Sequence, residues 1–208
     1  MNKYPVAVLV LLFSFCTISL LAQNFDINTL KSINANESSF KTSFFKGEAQ
    51  TVTVFNIAAP AGVFIAGALK HNKELKKEAV YMAGSFVLSS IITTVTKDIV
   101  KRERPFNKYS FIVKRDAGGS YSLPSGHTSA AFTTATSLSL LFPKWYVIAP
   151  SYLWAASVGY GRMYLGVHYP SDILAGAAIG AGSAWLGWKA QKWIERKHGS
   201  AKHSTPQL

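Results

Sequence analysis

The chain alternates between long uncharged stretches and short polar, mostly basic connections. Met1-Asn2-Lys3 is followed by Tyr4 to Ala22, which carries no charge. A short positive start and an apolar stretch form the pattern of an export signal. Ala22-Gln23 offers a cleavage point, although Leu20 is larger than the small residue usual at that position. The same stretch is also long enough for an uncleaved transmembrane helix. The next segment, residues 23–51, is polar and mixed, with room for one amphipathic helix. Five further runs follow: Val52 to Leu69, Ala79 to Thr96, Thr128 to Pro143, Trp145 to Gly161 and Ile173 to Trp188. None contains Asp, Glu, Lys, Arg or His, and only Lys144 separates the third from the fourth. As helices they would span roughly 24–27 Å, just short of a ~30 Å hydrocarbon core.

These runs predict an all-α fold, a multi-helix membrane bundle. A soluble bundle with wholly buried helices would show the same runs, but five of them in one short chain favour the membrane. Their Ala, Gly, Ser and Thr content suits close helix packing. Gly176 with Gly180, and Gly62 with Ala66, form small-xxx-small pairs. The expected organisation is a signal peptide or first transmembrane helix over 1–22 and a polar extracytoplasmic segment over 23–51. A helical core over 52–188 and a basic cytoplasmic tail over 189–208 complete it.

Composition narrows the function. Among 208 residues, 22 are Lys or Arg and 10 are Asp or Glu, a formal net charge of +12. Cys16 is the lone cysteine, which excludes a disulfide scaffold and a cysteine-based zinc site. A basic excess implies an anionic partner. Nucleic acid would call for a polar basic domain with a reading motif. Here the cations sit between apolar runs, which points to membrane lipids and phosphate instead. The lysines of the Lys70 to Lys77 loop and the tail cations Lys189, Lys192, Arg196, Lys197 and Lys202 fit a cytoplasmic side. The loop holding Lys97, Lys101, Arg102, Arg104, Lys108, Lys114 and Arg115 would then be outside, and so basic an outer loop needs another reason.

Three short motifs supply one. Lys97-x6-Arg104-Pro105 leaves the second long run. Pro124-Ser125-Gly126-His127 enters the next, and Arg162-x5-His168-x3-Asp172 joins the last two. One loop joins the first motif to the second, and one helical hairpin separates the second from the third, so all three fall at the same end of the bundle. Lys97, Arg104 and Arg162 can cradle phosphate oxygens, arginine with two parallel hydrogen bonds. Ser125 can donate its hydroxyl, and the Gly126 amide at a helix start can donate as well. His168 with Asp172 four residues on is an imidazole oriented by a carboxylate, free to attack phosphorus through its other nitrogen. His127 can protonate the leaving oxygen. Each motif alone has a plainer reading, as a helix cap, a membrane-edge basic cluster or a structural polar network. Their joint occurrence at matched helix ends weakens those readings. No metal quartet emerges, because His71, His127, His168, His198 and His203 lack ligand spacing. No Walker loop or dinucleotide fingerprint is present.

Over roughly Val52 to Trp188 these motifs resemble the type 2 phosphatidic acid phosphatase superfamily, which also holds class A acid phosphatases and vanadium haloperoxidases. The resemblance implies metal-independent phosphate ester hydrolysis through a phosphohistidine, with no cofactor. His168 resembles the nucleophile, Asp172 its orienting carboxylate and His127 the acid. Lys97, Arg104, Ser125, Gly126 and Arg162 resemble the phosphate binders. One departure stands out: Gly161 occupies the position where the family usually has Ser before the arginine. The expected protein is a phosphatase of the cell envelope, acting at the outer face on a lipid phosphate or diphosphate. The alternatives are a soluble exported acid phosphatase on small phosphomonoesters, a vanadate-dependent haloperoxidase, and a membrane protein that binds anionic lipid without turnover. Substrate identity and oligomeric state stay open.

Overall fold

The computed structural model describes residues 24–202. The export or anchor segment expected over residues 1–22, with Cys16, lies outside them, as does His203. Helix α1 covers residues 24–35. Then come α2 (Ser39–Leu69), α3 (Lys73–Val100), the single turn α4 (Pro105–Lys108), α5 (Gly126–Leu141), α6 (Trp145–Tyr164) and α7 (Pro170–Lys202). No strand occurs among the described residues.

Local signals set the helix ends. Ser38 caps α2 by accepting from the Lys41 amide at 3.3 Å. Asn72 caps α3 by accepting from the Glu74 and Leu75 amides, and Glu74 adds a negative charge to that first turn. At the other end of α3, Lys101 takes a left-handed conformation with φ 51° and turns the chain out into the long loop. Gly166 closes α6 with φ +76°, and a Cβ there would meet the Val113 carbonyl oxygen at 2.3 Å. Only glycine satisfies both demands.

Four of the five apolar runs lie within helices that overrun them, and the third outlasts its helix, α5 ending at Leu141 two residues before Pro143. Helix α2 starts well before Val52, so the expected boundary at residue 52 falls inside a helix. Helix α7 likewise runs through the expected boundary at 189. Ser, Lys and Gln are sound helix residues once a turn is nucleated, so an apolar run marks the buried or lipid-facing part of a helix, not its end. Among the described residues, two helices are long and apolar enough to cross a membrane, α2 and the one beginning at Lys73. The other three runs are shorter, or carry more Ser, Thr, Gly and Tyr.

Helix α5 sits at the centre, packed by α2, α3, α6 and α7. Its buried side chains are Thr128, Ser129, Ala131, Thr133, Thr134, Ala135, Thr136 and Ser137, all small. Several hydroxyls in this interior find local partners: Thr133 donates to the Ser129 carbonyl, and Ser89 and Thr93 of α3 meet the Ser129 hydroxyl. The Gly176 and Gly180 pair brings α7 against α5. A Cβ at Gly180 would lie 2.2 Å from the Ser129 carbonyl oxygen. The Gly62 and Ala66 pair does no such work, since Gly62 is exposed with open space before it. The large apolar side chains face outward instead, among them Phe55, Ile57 and Ile65 on α2, Val87, Ile91 and Val95 on α3, and Leu174 and Leu186 on α7. Small polar inside and branched apolar outside is the arrangement a lipid environment favours.

Helix α1 lies over the loop end of the bundle. Leu30, fully buried, packs with Ile112 and Tyr169. Asn34 donates to the carbonyls of Val113 and Tyr164 and accepts from the Val113 amide. The polar segment expected over 23–51 is therefore built into the fold.

Candidate active site

Helices α2 and α3, α5 and α6, and then α7 run alternately up and down. The end of α3, the starts of α5 and α7 and the end of α6 meet at one end. That topology brings the three motifs together.

His168 lies in the turn between α6 and α7 and is 2% exposed. Its Nδ1 faces Asp172 Oδ2 at 3.4 Å, and its Nε2 faces Arg104 Nη1 at 3.3 Å. A guanidinium can only donate, so Nε2 must hold a lone pair and the ring proton must ride on Nδ1. Burial pushes the His168 pKa down to about 4; the nearby charges of Arg104 and Arg162 act in the same direction and Asp172 opposes them. The ring is thus neutral, with Nε2 unprotonated, at ordinary pH.

Asp172, fully buried in the first turn of α7, is held on both oxygens. Oδ2 accepts from the Ser122 hydroxyl and from the Tyr169 amide at 2.9 Å, besides facing His168. Oδ1 pairs with Arg102 Nη1 at 2.7 Å.

The cations surround this pair. Lys97, near the end of α3, donates through Nζ to the Tyr121 carbonyl. Arg104 is anchored by the carbonyls of Ser120 and Val167, both at 2.8 Å. Burial, with Arg162 nearby, pulls its pKa below the usual value. Arg162, 3% exposed at the end of α6, pairs with Asp116 at 2.7 Å, while its buried Nε has no partner in the protein. Burial would raise the Asp116 carboxyl, but the hydrogen bonds from Arg162 and the Ala117 amide outweigh it and hold it low. Ser125 caps α5, accepting from the Thr128 amide and hydroxyl at 3.4 and 2.9 Å, which leaves its own proton to give. Gly126 follows as the first residue of α5. His127, next in that turn, lies within electrostatic reach of Arg162, Asp116, Arg104 and Lys97. All eight residues singled out in the sequence thus gather at one end of the bundle. Among the described residues, no group of three His, Cys, Asp or Glu could hold a metal ion.

The sequence reading missed four contributors. Arg102 was counted only as loop charge, and nothing local distinguishes it from Lys101. Ser122 reaches Asp172 from the loop, and Asp26 reaches Arg102 from α1. Asp116 left one trace, as an acid directly following Lys114-Arg115. The Gly161 departure also gains a physical account. A Cβ there would meet the Phe45 ring at 2.7 Å, so α2 fills the space a serine side chain would use.

An all-α bundle with a histidine–aspartate pair inside a cage of lysine and arginine defines a class of phosphate-handling membrane protein. The family model described as PAP2 superfamily matches residues 78–196, and the chain belongs to that superfamily. Over 84 residues it is 40% identical to a lipid A 4'-phosphatase of Bacteroides thetaiotaomicron, covering 40% of this chain and 37% of that protein. It is 34% identical over 115 residues to an undecaprenyl-diphosphatase of Sulfolobus acidocaldarius, covering 55% of each. The matches thus span about half, or less, of these relatives' length. The fold is also that of a transmembrane PAP2 type phosphatidylglycerolphosphate phosphatase from Bacillus subtilis, with a TM-score of 0.70 and 22% identity over 93% of this chain and 98% of that one.

Proposed function

We propose that this chain is a membrane phosphatase that hydrolyses a lipid phosphate monoester or diphosphate through a phosphohistidine at His168. The observation that carries the reading is the state of His168. One nitrogen is tied to Asp172, and the other presents a lone pair into a cage of Lys97, Arg104 and Arg162. The unpartnered Arg162 Nε inside that cage suits a phosphate oxygen. The named activities of the relatives, on lipid A and undecaprenyl diphosphate, support a lipid phosphate as the substrate class.

In this reading the His168 Nε2 lone pair forms a bond to phosphorus as the bond to the leaving oxygen breaks. Arg104, Arg162, Lys97, Ser125 and the Gly126 amide take up the charge on the equatorial oxygens. Burial, with Arg162, Arg104 and Lys97, pushes the His127 pKa down to about 4 in the free site. The negative charge of a bound phosphate offsets those cations, so that His127 takes up a proton with the substrate. It gives that proton to the leaving oxygen and takes one back from the water that attacks the phosphohistidine. Inorganic phosphate leaves, and both histidines return to their starting states.

The site end faces outward in this reading. The opposite end gathers Lys70, Lys73, Lys76, Lys77 and Lys144 with the cations of the α7 tail, as a cytoplasmic face would. Much of the positive charge at the site end is buried, Lys97, Arg104 and Arg162 in the site and Arg115 against Tyr164.

The test is phosphate release by purified protein across lipid and water-soluble phosphates, with chelator present. Turnover should persist in chelator and fall with vanadate, which mimics the five-coordinate state. Acid-labile, base-stable phosphate should be trapped on quenched wild type and absent from His168→Ala. Trapped label on His168→Ala but none on His127→Ala would reverse the roles.

A further inference from the structure

We propose that Arg102 and Asp26 are positioning residues for the His168–Asp172 pair, so that the N-terminal helix α1 completes the active site. The inference rests on His168 being the nucleophile and goes beyond it. Asp26 lies outside the 78–196 stretch that matches the family model.

The contacts form one continuous chain. Asp26, 4% exposed, accepts from the Ser171 amide at 2.9 Å and from the Ser171 hydroxyl. Its Oδ2 pairs with Arg102 Nη2 at 2.8 Å. Arg102 Nη1 then reaches both Ser171 Oγ and Asp172 Oδ1 at 2.7 Å. The guanidinium plane lies over the Tyr169 ring, 3.9 Å from its centre. One planar fork thus spans two carboxylates from opposite ends of the sequence, a geometry that lysine cannot reproduce.

The consequence falls on Asp172. Ser122, the Tyr169 amide and His168 all address Oδ2, while Arg102 supplies the charged contact to Oδ1. Without Arg102 the carboxylate can rotate toward Ser122 and Tyr169 and away from the imidazole. Arg102 does not touch His168, so it acts through Asp172. Asp26 acts one step further back by fixing the fork. Helix α1 has its own anchors in Leu30 and Asn34, so altering Asp26 need not release it. Arg102 also borders two solvent-open clefts, which gives a small cation access to its place.

The experiment uses the full chain in detergent or lipid discs, with thermal melting as a check on folding. Phosphate release is measured with a lipid phosphate and with a water-soluble phosphomonoester. Arg102→Ala should lower kcat by about 10–100-fold, the size of loss that removing the outer-shell partner of a metal-ligating side chain causes, with KM little changed. Added guanidinium should restore part of that kcat and leave wild type unaffected. Arg102→Lys should stay well below wild type, and Asp26→Asn should show a smaller kcat loss than Arg102→Ala. If Arg102→Ala does not fold, Arg102→Lys and Asp26→Asn carry the test. Wild-type kcat in both, or a loss confined to KM, would overturn the inference. If His168→Ala still turns over, the nucleophile assignment fails and this inference falls with it. If His168→Ala is inactive and the Arg102 and Asp26 variants are not, this inference alone fails.

Discussion

The ring of Phe45 stands where a side chain at Gly161 would go, 2.7 Å from the position of an added Cβ. Phe45 also packs against Tyr160 and Tyr164, with ring centres 5.6 and 5.3 Å away, so it has little freedom to move. Restoring the family's usual serine by Gly161→Ser should therefore destabilise the protein, by about 1–3 kcal/mol for overpacking a filled site. Combining it with Phe45→Ala should recover part of that loss relative to Phe45→Ala alone. Thermal melting of the two single variants and the double variant checks this. Additive losses would mean that the two positions do not share space.

The neutral state of His168 has a pH signature. Its pKa is pushed down to about 4 by burial, assisted by Arg104 and Arg162 against Asp172. Below that pH, Nε2 is protonated and cannot attack. The acid limb of kcat/KM, which reports the free enzyme, should therefore fall near pH 4 and not near the ordinary histidine value. The substrate's own phosphate ionisation near pH ~6 must be allowed for. Stability follows the same group. The unfolded chain takes up the proton first, so this histidine's contribution falls as pH drops from about 6.5 to about 4 and is constant outside that window. Arg104→Gln removes a charge that lowers the pKa, so it should move the acid limb to higher pH. An unmoved limb would assign it to another group.

Much of the bundle and the list of motif residues was legible in the sequence. Uncharged runs mark helices, and the hairpin count alone puts Lys97, Arg104, Ser125, His127, Arg162 and His168 at one end. Helix limits were not legible, because Ser39 to Thr51 continues α2 through polar residues that no apolar pattern marks. Nor was the support behind the site. Asp26 meets Arg102 only because Leu30 and Asn34 dock α1 on the loops, and tertiary packing of that kind leaves no periodic trace. Gly62 and Gly180 sit in similar small-residue pairs, yet only the second touches a neighbouring helix.

Orientation in the envelope can be tested at Asn107, which is exposed in α4 at the site end. Asn107→Cys in a Cys16→Ser background should react with an impermeant thiol reagent in cells whose outer permeability barrier has been opened. A cysteine replacing exposed His71, at the opposite end, should react only after lysis. The reverse pattern would put the site in the cytosol and make cytosolic phosphates the candidate substrates.

Gly126 separates a packing requirement from a chemical one. A Cβ added there would meet only Thr93 Cγ2, at 3.9 Å, an ordinary contact. The protein interior therefore does not demand glycine at the first residue of α5. In a helix, glycine is less favourable than alanine by up to about 1 kcal/mol, so on packing grounds Gly126→Ala should leave the melting temperature unchanged or raise it. The proposed role is chemical: the Gly126 amide, free at the start of α5, donates to a phosphate oxygen. A methyl group beside that amide would hold the phosphate away from it. One preorganised oxyanion donor is worth about 10²–10³ in rate, and partial displacement should cost some fraction of that. Gly126→Ala should thus be at least as stable as wild type and clearly slower, with weaker inhibition by vanadate. Melting curves, kcat and the vanadate inhibition constant measured on one preparation decide the matter. A stable variant with wild-type kcat and wild-type vanadate binding would remove the Gly126 amide from the list of phosphate donors and leave the oxyanion to Ser125 and the three cations.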